Sequence, residues 1–300
     1  MPDRLKTMAI LLKVVDNGSI TAGAKAMNMP IATVSRRISE LEADLGTQLI
    51  IRSPRGLVLT DSGAEYVLAC RRILDDVAEA ERSASGEFTT PRGTLNITAP
   101  IVLGRLHVLP VVLDFLAHYP EVDVRLELTD RRTSLSDEHL DLAVRIGPLS
   151  NSTLIRRKIG EVRQVICASP TFLDAHGHPS TPDDLRGASW IDSRRLPSSS
   201  IWKFDAENHT LLVPIHRRLS VSTAEAALDA AEAGLGFTGV LSYQAAAAVQ
   251  AGRLELVLRD WEAPPLPVHL IYEPRGLVPK KLRAFIDFAA PRIAKRIMPT

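Results

Sequence analysis

Apolar side chains recur every three or four positions in three blocks of the first 46 residues, which is the spacing of amphipathic α-helices. The apolar positions of the three blocks are Leu5, Met8, Ala9, Leu12 and Val15; Ile20, Ala24 and Met27; and Val34, Ile38, Leu41 and Leu45. Asn17-Gly18 and Gly46 end the first and third helices. Ser19 is a suitable N-cap for the second helix, and Pro30 fits the first turn of the third. The pattern predicts a helix-turn-helix behind one leading helix.

Two short apolar runs at 48–51 and 57–59 flank the basic stretch 52–56, which predicts a β-hairpin wing. Thr60 then caps a longer helix over 61–84. Its seam, spaced at three and four residues, consists of Val67, Cys70, Leu74, Val77 and Ala84, with Glu81 interrupting it. A helix of this length, about 36 Å, needs a partner, so it predicts a homodimer.

After a linker at 83–93, strand-like and helical runs alternate, which predicts an α/β region with mostly parallel sheets. The strand-like runs are Leu95–Thr98, Val122–Leu128, Leu142–Ile146, Val162–Ala168, Leu219–Val221, Phe237–Val240 and Val268–Tyr272. The helical runs are Ile101–Tyr119, Thr223–Ala233 and Pro279–Arg296. A region of this size can divide into two lobes, and its last strand and helix could return to the first lobe.

Charge is balanced over the whole chain, with 36 Lys and Arg against 35 Asp and Glu, so no general basic field indicates a nucleic-acid partner. Residues 1–60 differ, because they carry eight basic and five acidic side chains on particular elements. No apolar run approaches the roughly 18 residues that span a bilayer. The N-terminal segment does not resemble a signal peptide. We therefore expect a cytoplasmic protein without a membrane partner.

Several motifs that suggest chemistry also have simpler explanations. Cys70 and Cys167 lack metal-ligand spacing, and they are either two reduced thiols or a redox switch. Residues 234–239 fit G-x-G-x-x-G, but they follow an apparent helix and precede a strand, the reverse of a dinucleotide site, so Gly234 is better explained as a helix C-cap. The histidines form no metal cluster and no catalytic set emerges. The sequence predicts no metal, no cofactor and no enzyme activity.

The third helix places its polar side chains opposite its apolar stripe. Thr33, Arg36, Arg37 and Glu40 share that side. Arginine suits the acceptors of guanine or phosphate, and a basic wing can follow the backbone or enter the minor groove. The alternative is a solvated surface. The predicted DNA contacts are Ser19, Thr21, Ile31, Ala32, Thr33, Ser35, Arg36, Arg37, Arg52, Ser53, Arg55 and Thr60.

The segments 18–28, 34–42, 45–49 and 52–63 together resemble the DNA-binding domain of LysR-type transcriptional regulators. The resemblance implies a winged helix-turn-helix whose third helix enters the major groove. One position departs from the family pattern. Pro30-Ile31-Ala32 stands where the family has a polar start to the recognition helix, which shifts the expected base contacts toward Thr33, Ser35 and Arg36.

Downstream segments at 115–120, 140–147, 167–170 and 233–236 are similar to the family's effector domain. The resemblance implies two Rossmann-like α/β lobes of the type 2 periplasmic-binding-protein kind, with a small molecule between them. The expected domains are the winged helix-turn-helix at 1–60, a linker and dimerisation helix with hinge at 61–88, and the effector-binding domain at 89–300. Lobe I would comprise about 89–162 and 266–300, and lobe II about 163–265.

Ligands of open α/β sheets lie beyond the carboxyl ends of strands, near helix N-termini. On this basis and by family analogy, the predicted effector contacts are Ala99, Pro100, Ile101, Val102, Arg145, Ile146, Gly147, Ser200, Trp202, Ser222, Thr223, Thr238 and Gly239. The amides at Ile101 could hold a carboxylate. Arg145 could pair with an acidic effector or with Asp130 or Asp141, and Trp202 could stack on a ligand ring or belong to the core.

The resulting hypothesis is a transcriptional regulator that binds double-stranded promoter DNA as a homodimer or homotetramer, works with RNA polymerase at the bacterial nucleoid, and responds to a small-molecule effector. A competing class is an enzyme or solute-binding module with a DNA-binding tail, which would need a catalytic set or a secretion signal. An architectural DNA-binding protein is a third class, for which the α/β region at 89–300 would be superfluous.

Overall fold

The computed structural model describes residues 2–53, 56–84, 90–131, 135, 140–148, 153–193, 201–206, 209–274 and 278–297. Within it the chain forms two compact units, Met1–Gly93 and Thr94–Thr300. The elements of the first unit are α1 (Pro2–Asp16), α2 (Ile20–Ala26), α3 (Ile31–Leu45), β1 (Ile50–Ser53), β2 (Gly56–Leu59) and α4 (Asp61–Ala84). This order is the predicted one.

The core of the first unit forms where α1, α3 and the base of the wing meet. Val34, Ile38 and Leu41 of α3 are buried, which confirms the predicted stripe. Gly46 ends α3 in the left-handed conformation with φ of 66°, as glycine permits. The buried face of α1 differs from the prediction, because α1 packs against three other helices rather than one. Its buried apolar side chains are Met8, Ile10, Leu11 and Val14.

The seam of α4 is only partly available to a partner chain. Val67 and Cys70, its first two positions, are buried inside the first unit because α1 lies alongside α4. Arg71 also pairs with Asp16 of α1. The seam prediction therefore needs correction in its first half. Leu74 and Val77, one and two turns further along, are half-buried within the single chain.

The second unit contains two five-stranded sheets and a hairpin. The first sheet has the order β4-β3-β5-β14-β6 and the second β11-β8-β12-β7-β13, while β9 and β10 pair as the hairpin. Their bounds are β3 (Gly93–Ala99), β4 (Val122–Leu128), β5 (Leu142–Ile146), β6 (Ile155–Val162), β7 (Gln164–Ala168), β8 (Ser189–Asp192), β9 (Ile201–Ala206), β10 (His209–Pro214), β11 (His216–Ser220), β12 (Phe237–Leu241), β13 (Glu255–Val257) and β14 (Leu266–Tyr272).

Both sheets are mixed, which corrects the expectation of mostly parallel sheets. β14 runs antiparallel to both β5 and β6, and β7 runs antiparallel to both β12 and β13. The single strand expected over 162–168 is two strands, because the chain leaves the first sheet at Val162 and enters the second at Gln164. Most of β6, and all of β8, β9, β10 and β13, were not predicted.

Helices cover the sheets of the second unit. Their bounds are α5 (Ile101–Leu103), a π-turn (Gly104–Val108), α6 (Leu109–His118), α7 (Pro170–His176), α8 (Ala224–Glu232), α9 (Ser242–Gln250) and α10 (Lys280–Ile297), with 3₁₀ turns at Pro182–Leu185 and Arg259–Trp261. Phe285 of α10 meets Phe115 of α6 edge to face at 5.0 Å, so the C-terminal helix seals the core of the first sheet.

Among the described residues, one helical stretch, Ile101–His118, has the length and mean hydropathy (1.6) of a membrane span. The sequence analysis did not identify this stretch as one long apolar run because Arg105, His107 and Asp114 interrupt it. Val111, Val112 and other side chains of this stretch lie in the core of the first sheet. The stretch therefore packs as a core helix of the second unit.

Candidate functional site

The first turns of α3 present apolar and basic side chains to solvent. Ile31 is 51% exposed although it is a large aliphatic residue, and Ala32 beside it is exposed as well. Arg36, one turn further, pairs with Glu40 at 3.5 Å, and both side chains are more than half exposed. An exposed pair of this kind contributes little stability, so the guanidinium can leave Glu40 for a phosphate or a base edge. Thr33, Ser35 and Arg37 are half-buried.

Two predicted DNA contacts also cap helices. The Ser19 hydroxyl accepts a hydrogen bond from the Ala22 amide at 3.1 Å, which confirms it as the N-cap of α2. The Thr60 hydroxyl accepts from the Gly63 amide at 2.9 Å and donates to the Gln48 carbonyl at 2.7 Å, which confirms it as the N-cap of α4. Thr21 lies exposed in the first turn of α2. Ser19 and Thr60 therefore have structural roles beside any contact with DNA.

The wing is an antiparallel hairpin in which Arg52 faces Leu57 and Ser53 faces Gly56. Arg55 lies outside the described residues, as do the side chains of Arg52 and Ser53. The base of the wing is tied to α3, because the Glu42 carboxylate accepts from the amides of Leu49 and Ile50 at 2.8 and 3.1 Å. Sequence reasoning missed this role of Glu42.

Behind Glu42, α4 approaches the start of the wing closely at Gly63. A Cβ at that position would overlap the Leu49 carbonyl oxygen. Glycine is required at position 63 because there is no space for a side chain, and not because of its backbone conformation. Together Glu42 and Gly63 hold the wing at a fixed position beside α3.

The second unit contains a cleft of about 360 Å³ between its two sheets. It is lined by Pro100, Thr129, Asp130, Arg131, Arg145, Ile146, Gln164, Ser193, Ser222, Ala224, Gly239, Val240, Leu241, Tyr243 and Gln244. Five of these were predicted: Pro100, Arg145, Ile146, Ser222 and Gly239. Polar and apolar surface contribute about equally to the cleft, which combines cationic, anionic and neutral hydrogen-bonding groups and suits a small molecule with polar groups.

The other predicted effector contacts lie elsewhere. Ala99 and Val102 belong to the core of the first sheet. Thr238 is buried and its hydroxyl donates to the Ile191 carbonyl at 3.0 Å, while Thr223 caps α8 by accepting from the Ala226 amide at 3.2 Å. Ile101, Gly147 and Thr223 are not among the lining residues, and Ser200 lies outside the described residues.

Trp202 belongs to the core of the second sheet. It is 5% exposed and its ring lies 4.6 Å from that of Trp190. A Cβ at Gly239 would overlap the Trp202 ring, so Gly239 lies between the ring and the cleft. Trp202 is therefore a core residue and does not line the cleft.

The amide at Ile101 already has a carboxylate partner in the chain. Asp130 Oδ1 accepts from the Ile101 amide at 3.0 Å, which corrects the expectation that this helix start would receive an effector carboxylate. The other candidate partner of Arg145, Asp141, accepts from the Asn96 amide at 2.9 Å. Arg145 lines the cleft from within β5, and Arg131 adds a second cationic group to the lining.

The start of α9 contributes Tyr243 and Gln244 to the cleft, which sequence reasoning missed. Tyr243 is 8% exposed, and burial raises its pKa, so it stays a neutral phenol at physiological pH. Gln244 accepts from the Leu241 amide at 2.8 Å through its side-chain oxygen, which fixes the turn into α9. The Ser242-Tyr243-Gln244 sequence carried no motif that could have indicated this position.

The remaining chemical candidates have structural explanations. Burial raises the pKa of Cys70 to about 11 and that of Cys167 to about 12, and both thiols are unpaired with any other cysteine. Gly234 follows α8 with φ of 81° and leads into β12, which confirms the C-cap explanation. Within the described residues, no cluster of three or more His, Cys, Asp and Glu could hold a metal ion.

Comparison with known families and proteins matches both units. Residues 5–64 match the model of the bacterial regulatory helix-turn-helix protein, lysR family, and residues 89–294 match the LysR substrate binding domain. An HTH-type transcriptional repressor of Pseudomonas aeruginosa is 32% identical over 95% of this chain and 91% of its own length. An HTH-type transcriptional regulator of Xanthomonas campestris is 34% identical over 98% of this chain and 86% of its own.

Solved structures agree with these matches. The full-length virulence activator AphB of Vibrio cholerae, a member of the LTTR protein family, superposes with a TM-score of 0.60 at 29% identity, covering 95% of this chain and 98% of that one. CrgA of Neisseria meningitidis, a LysR-type transcriptional regulator, gives a TM-score of 0.60 at 25% identity and covers 98% and 99% of the two chains. These relatives are regulators of transcription rather than enzymes, and with both family models matched, the chain belongs to the LysR family of DNA-binding transcriptional regulators.

Proposed function

We propose that this chain binds a two-fold symmetric promoter site through α3 and the wing, and that a small carboxylate in the cleft of the second unit modulates that binding. The observation that supports this most directly is the exposed surface at the start of α3, with Ile31, Ala32 and Arg36 beside a wing held in place by Glu42. Thr33, Ser35, Arg37 and the wing residues 52–55 complete the proposed contact surface.

Ile31 gives this surface a specific base preference. A half-exposed aliphatic side chain at the start of a recognition helix can contact the C5-methyl group of thymine, whereas it offers no hydrogen bond to guanine or adenine. The apolar start of the helix therefore replaces a hydrogen bond to a base with a contact to the thymine methyl group. Arg36 supplies the polar contact, to a guanine edge or a phosphate.

The thymine contact is tested by gel-shift titration at one stated salt concentration. Replacing each thymine of the bound half-site by deoxyuridine removes only the methyl group. At one position we expect wild-type affinity to fall about 3- to 10-fold, in the lower range of a specific base contact. Ile31→Gln is expected to bind both forms equally. Equal binding of both forms by the wild-type protein would exclude the contact.

For the effector, we propose that Arg145 holds the carboxylate from the first-sheet wall, with Ser222 and Gln244 available from the opposite wall. The start of the helix at Ile101 takes no part, since Asp130 occupies it. A ligand that bridges both walls favours the closed arrangement of the two sheets and shifts the equilibrium by its difference in affinity for the two states. Titration calorimetry with a panel of small carboxylates, repeated on Arg145→Ala, tests this assignment.

For assembly, we propose a domain organisation of 1–60, 61–88 and 89–300, with homodimers formed through the second half of α4 and pairs of dimers forming a tetramer. Leu74 and Val77 retain exposed apolar surface that a second α4 can cover. The assembly acts at promoter DNA in the cytoplasm and contacts RNA polymerase. Leu74→Glu is expected to give monomers in analytical ultracentrifugation, while the exposed control Ser220→Glu leaves the sedimentation unchanged.

A further inference from the structure

The chain passes from the first sheet of the second unit to the second sheet at one point and returns at another. β6 ends at Val162 and β7 begins at Gln164, so Arg163 alone forms the first crossover. The second crossover runs from the end of β13 to Leu266, where β14 begins. Val162 faces Leu266 in the ladder between β6 and β14. The two crossovers therefore lie side by side where they leave the first sheet.

An ion pair joins the two crossovers on the side of the second sheet. The Arg163 guanidinium donates to the Glu262 carboxylate at 2.8 Å. Only 11% of the Glu262 side chain and 36% of the Arg163 side chain are exposed, so water and salt screen this pair less than a surface pair. Charge-assisted hydrogen bonds of this length are among the strong ones in proteins. The crossovers are therefore held together at both ends.

The second crossover has little freedom on either side of Glu262. Before it, Trp261 ends a 3₁₀ turn and packs against the core of the second sheet. After it, Pro264 and Pro265 each fix the backbone angle φ, which stiffens the short path to β14. The carboxylate that Arg163 meets is therefore held in place by the crossover itself.

The backbone of Arg163 is bonded to the start of α9. The Arg163 amide donates to Ser242 Oγ at 3.2 Å, and the Arg163 carbonyl accepts from the Ser242 amide at 2.8 Å. Ser242 is the first residue of α9, and Tyr243 after it packs in the core of the first sheet. Tyr243 and Gln244 also line the cleft. The residue that forms the first crossover is thus bonded directly to the helix start that borders the cleft.

We infer that Arg163 and Glu262 are positioning residues that join the two crossovers into one hinge and hold the start of α9 beside the cleft. Two separate crossovers would let the sheets twist and slide past each other, whereas joined crossovers restrict the movement to bending about one line. Because Tyr243 and Gln244 follow Ser242, that bending moves the lining of the cleft directly. This consequence for regulation rests on the proposed effector function of the cleft, whereas the hinge itself does not.

The test is a distance measurement between two spin labels on the full chain by pulsed electron paramagnetic resonance. Arg283→Cys on α10 and Ala175→Cys on α7 place one exposed label beside each sheet, while Cys70 and Cys167 are buried and resist labelling. Dilution with unlabelled chain restricts the measured distances to those within one chain. With Arg163 and Glu262 intact, we expect one narrow distance peak.

Breaking the ion pair should release movements that the hinge excludes. In Arg163→Ala or Glu262→Ala, we expect the population outside the peak to rise about 10-fold or more. The double variant should match the single variants, because each change breaks the same contact. Arg253→Ala is the matched control. It breaks a 2.7 Å ion pair with Glu232 that lies wholly on the side of the second sheet, and it should leave the peak unchanged.

Thermal unfolding of the same variants separates the hinge from a purely structural role. A lower unfolding temperature with an unchanged distance peak would overturn the inference, as would a double variant whose distribution is wider than that of either single variant. Glu262→Gln keeps the size of the side chain and removes only its charge, so it serves where an alanine variant does not fold, and a wild-type peak in it would also contradict the hinge. Neither DNA nor a carboxylate is added, so failure of the proposed regulatory function is distinguishable.

Discussion

The proposed DNA-facing surface of the first unit, formed by the start of α3 and the wing, and the cleft of the second unit are built in opposite ways. The former lies along one continuous helix of 15 residues, with the wing following directly in the chain. The latter draws its walls from segments between Pro100 and Gln244, carried by two different sheets. A side chain on an exposed helix face can change with little effect on folding, whereas most cleft positions border the core. Function and stability should therefore separate in the first unit and remain linked in the second.

Each unit contains one buried cysteine, which allows the two regions to be compared with the same reagent. With pKa values of about 11 and 12, the thiolate fractions of Cys70 and Cys167 at pH 8 are about a thousandth and a ten-thousandth, against roughly a quarter for an ordinary thiol. We expect labelling by a disulfide reagent to be more than 100-fold slower than in denaturant. Rapid labelling of either folded unit would contradict the burial described for it.

Arg36→Ala tests the DNA-facing surface with the next largest expected effect. Loss of one guanidinium contact should weaken promoter binding about 10- to 100-fold, corresponding to about 1–3 kcal/mol. Thermal unfolding should be unchanged, since the pair that Arg36 forms with Glu40 is exposed and contributes little stability. Fluorescence anisotropy with labelled promoter DNA measures the change. Arg125→Ala is the matched control, and equal losses in both variants would indicate a general charge effect instead.

Two glycine variants test whether destabilising one unit affects ligand binding by that unit alone. Gly63→Ala forces a Cβ into the Leu49 carbonyl oxygen, and Gly239→Ala forces one into the Trp202 ring. Each should cost about 1–3 kcal/mol of unfolding free energy through overpacking. We expect the first to weaken DNA binding while sparing carboxylate binding, and the second to do the reverse. Each variant is the control for the other, and identical effects on both ligands would show that the two regions are not independent.

Arg145→Ala has the smallest expected effect. Removing one charge-assisted hydrogen bond should weaken carboxylate binding in the cleft about 10-fold, near 1.5 kcal/mol. DNA affinity without ligand should stay at the wild-type value. Calorimetry measures the first quantity and anisotropy the second. Undiminished affinity for every carboxylate that the wild-type protein binds would remove Arg145 from the site.

The contrast between the two regions also explains which features could be predicted from the sequence. Periodicity and capping identified α3, Ser19, Thr60 and Gly46, because these signals act over four residues or fewer. Even there the α1 face was misjudged, since packing against several helices depends on the tertiary arrangement. The apolar spacing of α4 was likewise visible, and its role in pairing two chains stays a prediction, but the burial of Val67 and Cys70 within their own unit was not visible.

In the second unit, the features that the sequence did not predict depend on contacts between residues far apart in the chain. The antiparallel insertion of β14 between β5 and β6 joins residues more than a hundred positions apart, which no local pattern encodes. The same holds for Tyr243, which follows β12 of the second sheet in the chain but packs in the core of the first sheet. Asp130 is the clearest example. A free helix start can bind a carboxylate through its amides, but here the Ile101 amide already donates to Asp130, which lies 29 positions further along the chain.

The central claim, that DNA binding by the first unit responds to a carboxylate bound by the second, is tested most directly by footprinting the chain's own upstream DNA with and without that ligand. We expect a protected region with two symmetry-related half-sites, which requires about 10- to 100-fold more protein in Arg36→Ala. Its apparent affinity should change on adding the carboxylate in the wild-type protein but not in Arg145→Ala. No protection at physiological salt, or a ligand response that persists in Arg145→Ala, would contradict it.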